Sequence, residues 1–181
     1  MLSVKELRTL AARLTKNEFR SQLGPFVLIQ RPEASSNGLD TNKMGFPASA
    51  ARTQVVKADQ VSSGALSLLF EFDELVVATV PPLNGVDALT VGRQPDSDLV
   101  LDDPSVSKRH AILRWDGENS RCTIQDTEST NGTFLNASVK VQRETTLKNG
   151  DILSFGELQY WFLLTATLYE KLMAAPSRLM V

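Results

Sequence analysis

The chain of 181 residues has only one cysteine, Cys122, and only one histidine, His110. A single cysteine cannot form a disulfide within the chain, which favours an intracellular setting. One cysteine and one histidine also cannot supply the ligands of a Cys/His zinc site, so we expect no metal and no cofactor. Cys122 lies in the alternating stretch RCTIQD and is predicted to be a small strand residue.

Long apolar runs are absent as well. No window of eighteen residues is apolar throughout, so no segment is predicted to span a membrane. The N-terminal stretch MLSVKELRTLAARL carries charges among its apolar residues and lacks the core of a signal peptide. The net charge of -2 gives no general reason to expect nucleic acid or an anionic membrane as a partner. We therefore expect a cytoplasmic protein.

The N-terminal part, residues 1–30, is predicted to be a short helical segment. Ser3 with Glu6 forms a capping-box pattern, and Thr15 with Glu18 repeats it, which predicts a helix that breaks and restarts. The run FVLIQ that follows is strand-like but has no obvious partner in the sequence. This segment could pack on the main domain, pair with a second copy or dock a second protein, and the pattern does not choose.

Residues 31–65 are rich in Ser, Ala, Asn, Gly and Pro and are predicted to form a flexible linker. After it the hydrophobic period changes to two, and turn signals separate short strand-like runs. These runs are ELVVATV (74–80), ALTVGR (88–93), DLVL (98–101), HAILRW (110–115), RCTIQD (121–126), TFLN (133–136) and LQYWFLL (158–164). They predict an all-β, antiparallel sandwich or barrel over residues 66–175, closed by a C-terminal helix in TATLYEKLM.

Three loops of this predicted sandwich concentrate hydroxyls, an amide and cations. Arg93 ends one strand, Ser107, Lys108 and Arg109 precede another, and the loop STNG follows a third. Guanidinium groups and hydroxyls donate hydrogen bonds to phosphate oxygens, and glycine permits close approach of the backbone. If the loops meet at one end, the sequence predicts an anion site.

The stretch GRQPDSDLVLDDPSVSKRHAILRW, followed by DTESTNGTFLN and LKNGDILSFG, closely resembles the forkhead-associated (FHA) domain. Three fragments carry the resemblance in the family's order and spacing: Gly92-Arg93, Ser107-Lys108-Arg109-His110 and Thr130-Asn131-Gly132-Thr133-Phe134. The resemblance covers roughly residues 70–166. It implies an FHA/SMAD-like β-sandwich that binds phosphothreonine-containing segments of partner proteins, and thereby depends on a Ser/Thr kinase.

The resemblance also implies a role for each matched residue. Arg93 and Ser107 would hold the phosphate, Thr130 would line the phosphothreonine site, and Asn131 would bind the peptide backbone. Lys108 and Arg109 stand where the family places further polar contacts. The residues expected to support the binding loops are Gly92, His110 and Gly132. His110 would tie the 103–109 loop to the scaffold.

Three alternatives accompany this interpretation. Ser107 and His110 could form a catalytic pair, but no G-x-S-x-G elbow is present, and we expect no enzyme. The second is a phosphate-independent interaction scaffold of the same fold, as part of a larger assembly. The third is regulatory: Thr53, with aliphatic Val56 three residues on, could be phosphorylated and fold back into the domain's own site.

Overall fold

A computed structural model describes residues 2–31, 76–79 and 88–174 of the chain. The helices are α1 (Val4–Arg13), α2 (Lys16–Leu23) and α3 (Thr165–Ala174). The strands are β1 (Leu2–Ser3), β2 (Phe26–Gln30), β3 (Val76–Thr79), β4 (Ala88–Gly92), β5 (Leu99–Val100), β6 (Ala111–Asp116), β7 (Arg121–Asp126), β8 (Thr133–Leu135), β9 (Val139–Lys140), β10 (Thr145–Thr146), β11 (Ile152–Phe155) and β12 (Leu158–Leu164).

The strands form two sheets. One has the order β1-β3-β2-β12-β11-β8-β9, and the other has the order β10-β7-β6-β4-β5. The ladders are antiparallel except that between β4 and β5, which is parallel. Alternate residues of both sheets, among them Leu113, Phe155 and Phe162, fill a common core. The predicted all-β class with helices at both ends is confirmed.

Strand β2 lies in the middle of the larger sheet, between β3 and β12. Both of its faces are buried: Phe26 and Leu28 enter the core between the sheets, whereas Val27 and Ile29 face the other way. An apolar run without alternation is the pattern of a strand covered on both faces. Of the three possibilities for the N-terminal segment, packing on the main domain is the one observed.

The helices cover the outer face of this larger sheet. Val4 and Leu7 of α1, Phe19 of α2 and Leu168 of α3 pack with Trp161 and other residues of the sheet in a second core. Both predicted capping boxes are present, with Ser3 and Thr15 as N-caps. Leu14 lies in the break between α1 and α2. The hydroxyl of Tyr169 on α3 donates to the carbonyl of Leu14 at 3.1 Å and so links α3 to this break.

Strands β2 and β3 pair with each other, although the predicted linker separates them in the sequence. Residues 31–65 follow β2 in the chain and precede β3. Apart from Arg31 they lie outside the described residues, as does Thr53. The domain limits 1–30, 31–65 and 66–175 therefore stay a prediction, although strands from the first and third ranges share one sheet.

Within the described residues, no helix is long and apolar enough to cross a membrane. Strands β1, β9 and β10 have two residues each and were not predicted, because an element that short shows no periodicity. The equally short β5 was predicted because it lies in the longer run DLVL. The four-residue strand β11 lies within the stretch LKNGDILSFG, and the hydrophobic pattern did not predict it as a separate strand.

Cys122 is expected to be unreactive in the folded protein. Its thiol lies in the core between the sheets, and this burial raises its pKa to about 12. The thiolate is the reactive species, so alkylation at neutral pH is expected to need unfolding. Mass spectrometry after treatment with iodoacetamide, with and without urea, measures this. Rapid alkylation of the native chain would contradict the burial.

Candidate functional site

A cleft of about 400 Å³ opens where the loops after β4, β5 and β7 meet. Its lining residues are Arg93, Pro104, Ser105, Val106, Ser107, Lys108, Arg109, Glu128, Thr130 and Asn131. All six residues predicted from the sequence to bind phosphothreonine are among them. The structure thus brings the predicted set together, while their role in binding stays a prediction.

The loop that carries Ser107 and Lys108 is held against the end of β4. The backbone N–H of Arg93 donates to the carbonyl of Ser107 at 3.0 Å, and that of Gln94 donates to Lys108 at 3.2 Å. Gly92 allows this approach, because a Cβ at that position would lie 2.2 Å from the Lys108 carbonyl oxygen. A larger residue at position 92 would push the loop, with its cations, away from Arg93.

His110 joins this loop to the STNG loop. Its Nδ1 accepts a hydrogen bond from the backbone N–H of Ser107 at 3.0 Å, and its Nε2 donates to the carbonyl of Gly132 at 3.2 Å. The ring is fully buried and packs edge-on against Phe155. Because both nitrogens are engaged by the backbone, His110 is not arranged as a general base for the Ser107 hydroxyl.

The hydroxyls of Ser107 and Thr130 lie side by side at the cleft. The backbone N–H of Thr130 donates to Ser107 Oγ at 2.9 Å, and the Ser107 hydroxyl donates to Thr130 Oγ1 at 3.3 Å. Two residues 23 positions apart in the chain are therefore linked directly. The pair offers neighbouring hydroxyl groups to one bound anion.

Ser105 and Asn131 connect the rim of the cleft to the turn between β11 and β12. Asn131 donates through Nδ2 to the carbonyl of Ser105 at 2.7 Å. Ser105 Oγ in turn accepts the backbone N–H of Glu157 at 2.9 Å. Gly156 is required beside it, since a Cβ there would lie 2.4 Å from the Ser105 carbonyl oxygen. The sequence patterns pointed to neither Ser105 nor Gly156.

Asp126 is a positioning residue that the sequence patterns also missed. Its carboxylate accepts the backbone N–H of Ser129 at 2.9 Å and the hydroxyls of Ser129 and Thr133 at 2.6 Å each. Partial burial opposes ionisation, but these hydrogen bonds outweigh it and hold the pKa of Asp126 below its ordinary value. An aspartate three residues before a serine is a turn signal that could have indicated this role.

The cleft is mainly cationic. Arg93, Lys108 and Arg109 line it, against one carboxylate, that of Glu128. Arg109 also lies 3.9 Å from Asp96, but both side chains are largely exposed and such a pair contributes little to stability. In the described part of the chain, no cluster of three potential metal-ligating side chains is found.

The stability of the free protein is expected to fall as the pH drops below about 6.5, the ordinary pKa of histidine. Burial lowers the pKa of His110, more than the Gly132 carbonyl and the Asp126 charge raise it. The unfolded chain therefore takes up the proton first, so acid favours unfolding. Urea denaturation between about pH 7.5 and pH 5 measures this, with His110→Gln as the non-titrating control. Equal pH slopes for both proteins would contradict the assignment.

Comparisons with known proteins match the region of the cleft. Residues 89–156 match the family model described as FHA domain. The oxoglutarate dehydrogenase inhibitor of Corynebacterium jeikeium is 39% identical over 77 residues, which cover 42% of this chain and 51% of that protein. The glycogen accumulation regulator GarA of Mycobacterium tuberculosis is 40% identical over 74 residues, 41% of this chain and 43% of GarA. The chain thus spans about half the length of these curated relatives.

Among solved structures, one from a study of phosphothreonine-dependent FHA domain interactions is similar to this chain. It is 34% identical, covers 42% of this chain and 76% of its own length, and has a TM-score of 0.39.

Proposed function

Because this chain belongs to the FHA domain family, we propose that it is a phosphothreonine-dependent adaptor in Ser/Thr-kinase signalling, and not an enzyme. The cleft would hold a phosphothreonine of a partner protein, with Arg93 and Ser107 on the phosphate. Lys108 and Arg109 would add positive charge, Thr130 would line the site, and Asn131 would bind the peptide backbone. The cytoplasmic location predicted from the sequence belongs to this proposal.

The observation that carries the proposal is the meeting of Ser107, Thr130 and Arg93 at one cleft. The two hydroxyls are hydrogen-bonded to each other, and the backbone of Arg93 is bonded to that of Ser107. Cations and hydroxyls converging on one opening are the groups that stabilise a phosphate dianion. The fully buried His110 keeps the two loops together, so the groups are positioned before the ligand arrives.

Arg93→Ala and Ser107→Ala are each expected to weaken binding of a phosphothreonine peptide by about tenfold to a hundredfold. A hydrogen bond to a charged group contributes about 1.5–3 kcal/mol, which corresponds to this loss. Fluorescence anisotropy with matched phosphorylated and unphosphorylated peptides, drawn from an oriented library, measures it. Arg143→Ala is the matched control, because Arg143 is also exposed but does not line the cleft.

The phosphate-independent scaffold is the competing function. Equal affinity of the two peptides would support that scaffold and reject the phosphothreonine proposal. Normal phosphopeptide binding by Arg93→Ala would reject only the role assigned to Arg93 and would leave the proposed function standing.

A second partner or self-association through the N-terminal helix belongs to the same proposal. Val4, Leu7 and Phe19 are fully buried against the sheet, so a partner would meet the polar faces of α1 and α2. Sedimentation of the free chain tests self-association, and a concentration-independent monomer would remove it.

Phosphorylation of Thr53 is a further part of the proposal. Thr53 lies outside the described residues, but the position of Arg31 bears on its reach. The N–H of Arg31 donates to the carbonyl of Gln159, two residues from Glu157, whose own N–H binds the cleft residue Ser105. The chain thus leaves β2 at the end of the sandwich where the cleft lies. Mass spectrometry of the protein from its native host tests this, and an unmodified Thr53 under kinase-active conditions would remove it.

A further inference from the structure

Glu128 is the one carboxylate among the ten residues that line the cleft, where three others are cations. A carboxylate beside a phosphate site repels the phosphate and so lowers the affinity for every phosphorylated ligand. It therefore lowers the affinity for a phosphorylated ligand unless a group of the protein or of the ligand pairs with it.

The protein supplies no such partner in its described part. Glu128 is exposed, and across residues 2–31, 76–79 and 88–174 its carboxylate takes part in no hydrogen bond or ion pair. The neighbouring loop acid, Asp126, differs in this respect, because its carboxylate is used by Ser129 and Thr133. Glu128 is thus a charge at the rim of the cleft that is left for a ligand.

The backbone places Glu128 there against its own preference. Its φ is +60°, in the left-handed region that glycine adopts without steric cost and that other residues avoid. Hydrogen bonds impose this conformation from both sides. The N–H of Thr127 donates to the His110 carbonyl at 3.0 Å, and the N–H of Ser129 donates to Asp126 at 2.9 Å. A strained residue held at a binding site is an indication of function.

Resting on the proposed function, we infer that Glu128 selects phosphothreonine peptides that carry a lysine or arginine where they cross this rim. The phosphate binds the cations of the cleft, and the basic side chain of the same peptide pairs with Glu128. The ligand is then recognised by two opposite charges at a defined separation. Peptides with an acidic residue at that position are repelled by Glu128 and disfavoured.

The test is a lysine scan of one phosphothreonine peptide. Lysine, alanine or glutamate is placed in turn at about three residues on each side, a span of roughly 20 Å of extended chain. At one position we expect lysine to bind about twofold to fivefold more tightly than alanine, as for an exposed ion pair. Glu128→Gln is expected to abolish that preference, and Glu128→Lys to reverse it in favour of glutamate. Raising the salt concentration should reduce it.

Glu157→Gln is the matched control. Glu157 is also exposed, and its backbone contacts the cleft residue Ser105, but its side chain does not line the cleft. This variant should keep the lysine preference unchanged. A preference that survives in Glu128→Gln, or the absence of any preferred position, would overturn the inference while phosphate-dependent binding stands. Equal binding of phosphorylated and unphosphorylated peptides would instead reject the proposed function itself.

Discussion

Residues 66–175 produced alone are expected to show no cooperative unfolding transition. They lack β2, which pairs with five residues of β12 and three of β3 in the middle of the larger sheet. The four side chains from Phe26 to Ile29 are fully buried. Burial of each contributes about 1.5–3 kcal/mol, so their loss is comparable with the whole stability of a typical domain, about 5–15 kcal/mol. Circular dichroism during heating measures the transition.

Point variants of the full chain distinguish the effect of lost core packing from the effect of removing the N-terminal segment. Leu28→Ala in the full chain is expected to lower the free energy of unfolding by about 2–5 kcal/mol, since Leu28 lies in the core between the sheets. Ser21→Ala, at an exposed position on α2, should change it by less than about 0.5 kcal/mol. A cooperative transition of residues 66–175 near that of the full chain would show that β2 is dispensable.

His110→Ala is expected to reduce stability and phosphopeptide binding together. It removes a fully buried ring and leaves the N–H of Ser107 and the carbonyl of Gly132 without their partner. We expect a loss of about 2–4 kcal/mol, which corresponds to a melting temperature lower by about 5–15 °C. Binding falls because the loops with Ser107 and Thr130 are no longer held against each other. Thermal denaturation and peptide titration measure the two effects.

Ser107→Ala is the counterpart for this comparison. Its hydroxyl accepts the exposed N–H of Thr130, and water can replace that bond in the variant. We therefore expect weaker peptide binding with a melting temperature within about 2 °C of the original. If His110→Ala left both properties unchanged, the assignment of His110 as the link between the loops would be wrong.

Much of the site could be read from the chain because its chemistry is local. Ser107 and its two cationic neighbours stand together in one loop, and Thr130 with Asn131 stands in another. What was missed acts at a distance. Asp126 and Ser105 are ordinary turn residues in the sequence, and only the folded loops show which backbone groups they bind. Glu128 lies at the rim of the cleft with a positive φ, which no residue pattern reveals.

The sequence alone determined the class of the fold. Short strands in which apolar and polar residues alternate, with turn signals between them, bury their apolar faces by forming a sandwich or a barrel. The sequence also determined where α1 and α2 begin, because a capping box is a contact between residues three positions apart. Only the tertiary structure decided where the N-terminal segment belongs. The uninterrupted apolar run FVLIQ indicates a strand that is buried on both faces, but its partner strand β12 lies about 130 residues away in the sequence. Periodicity records that a face is buried, whereas the choice of what buries it depends on contacts between distant parts of the chain.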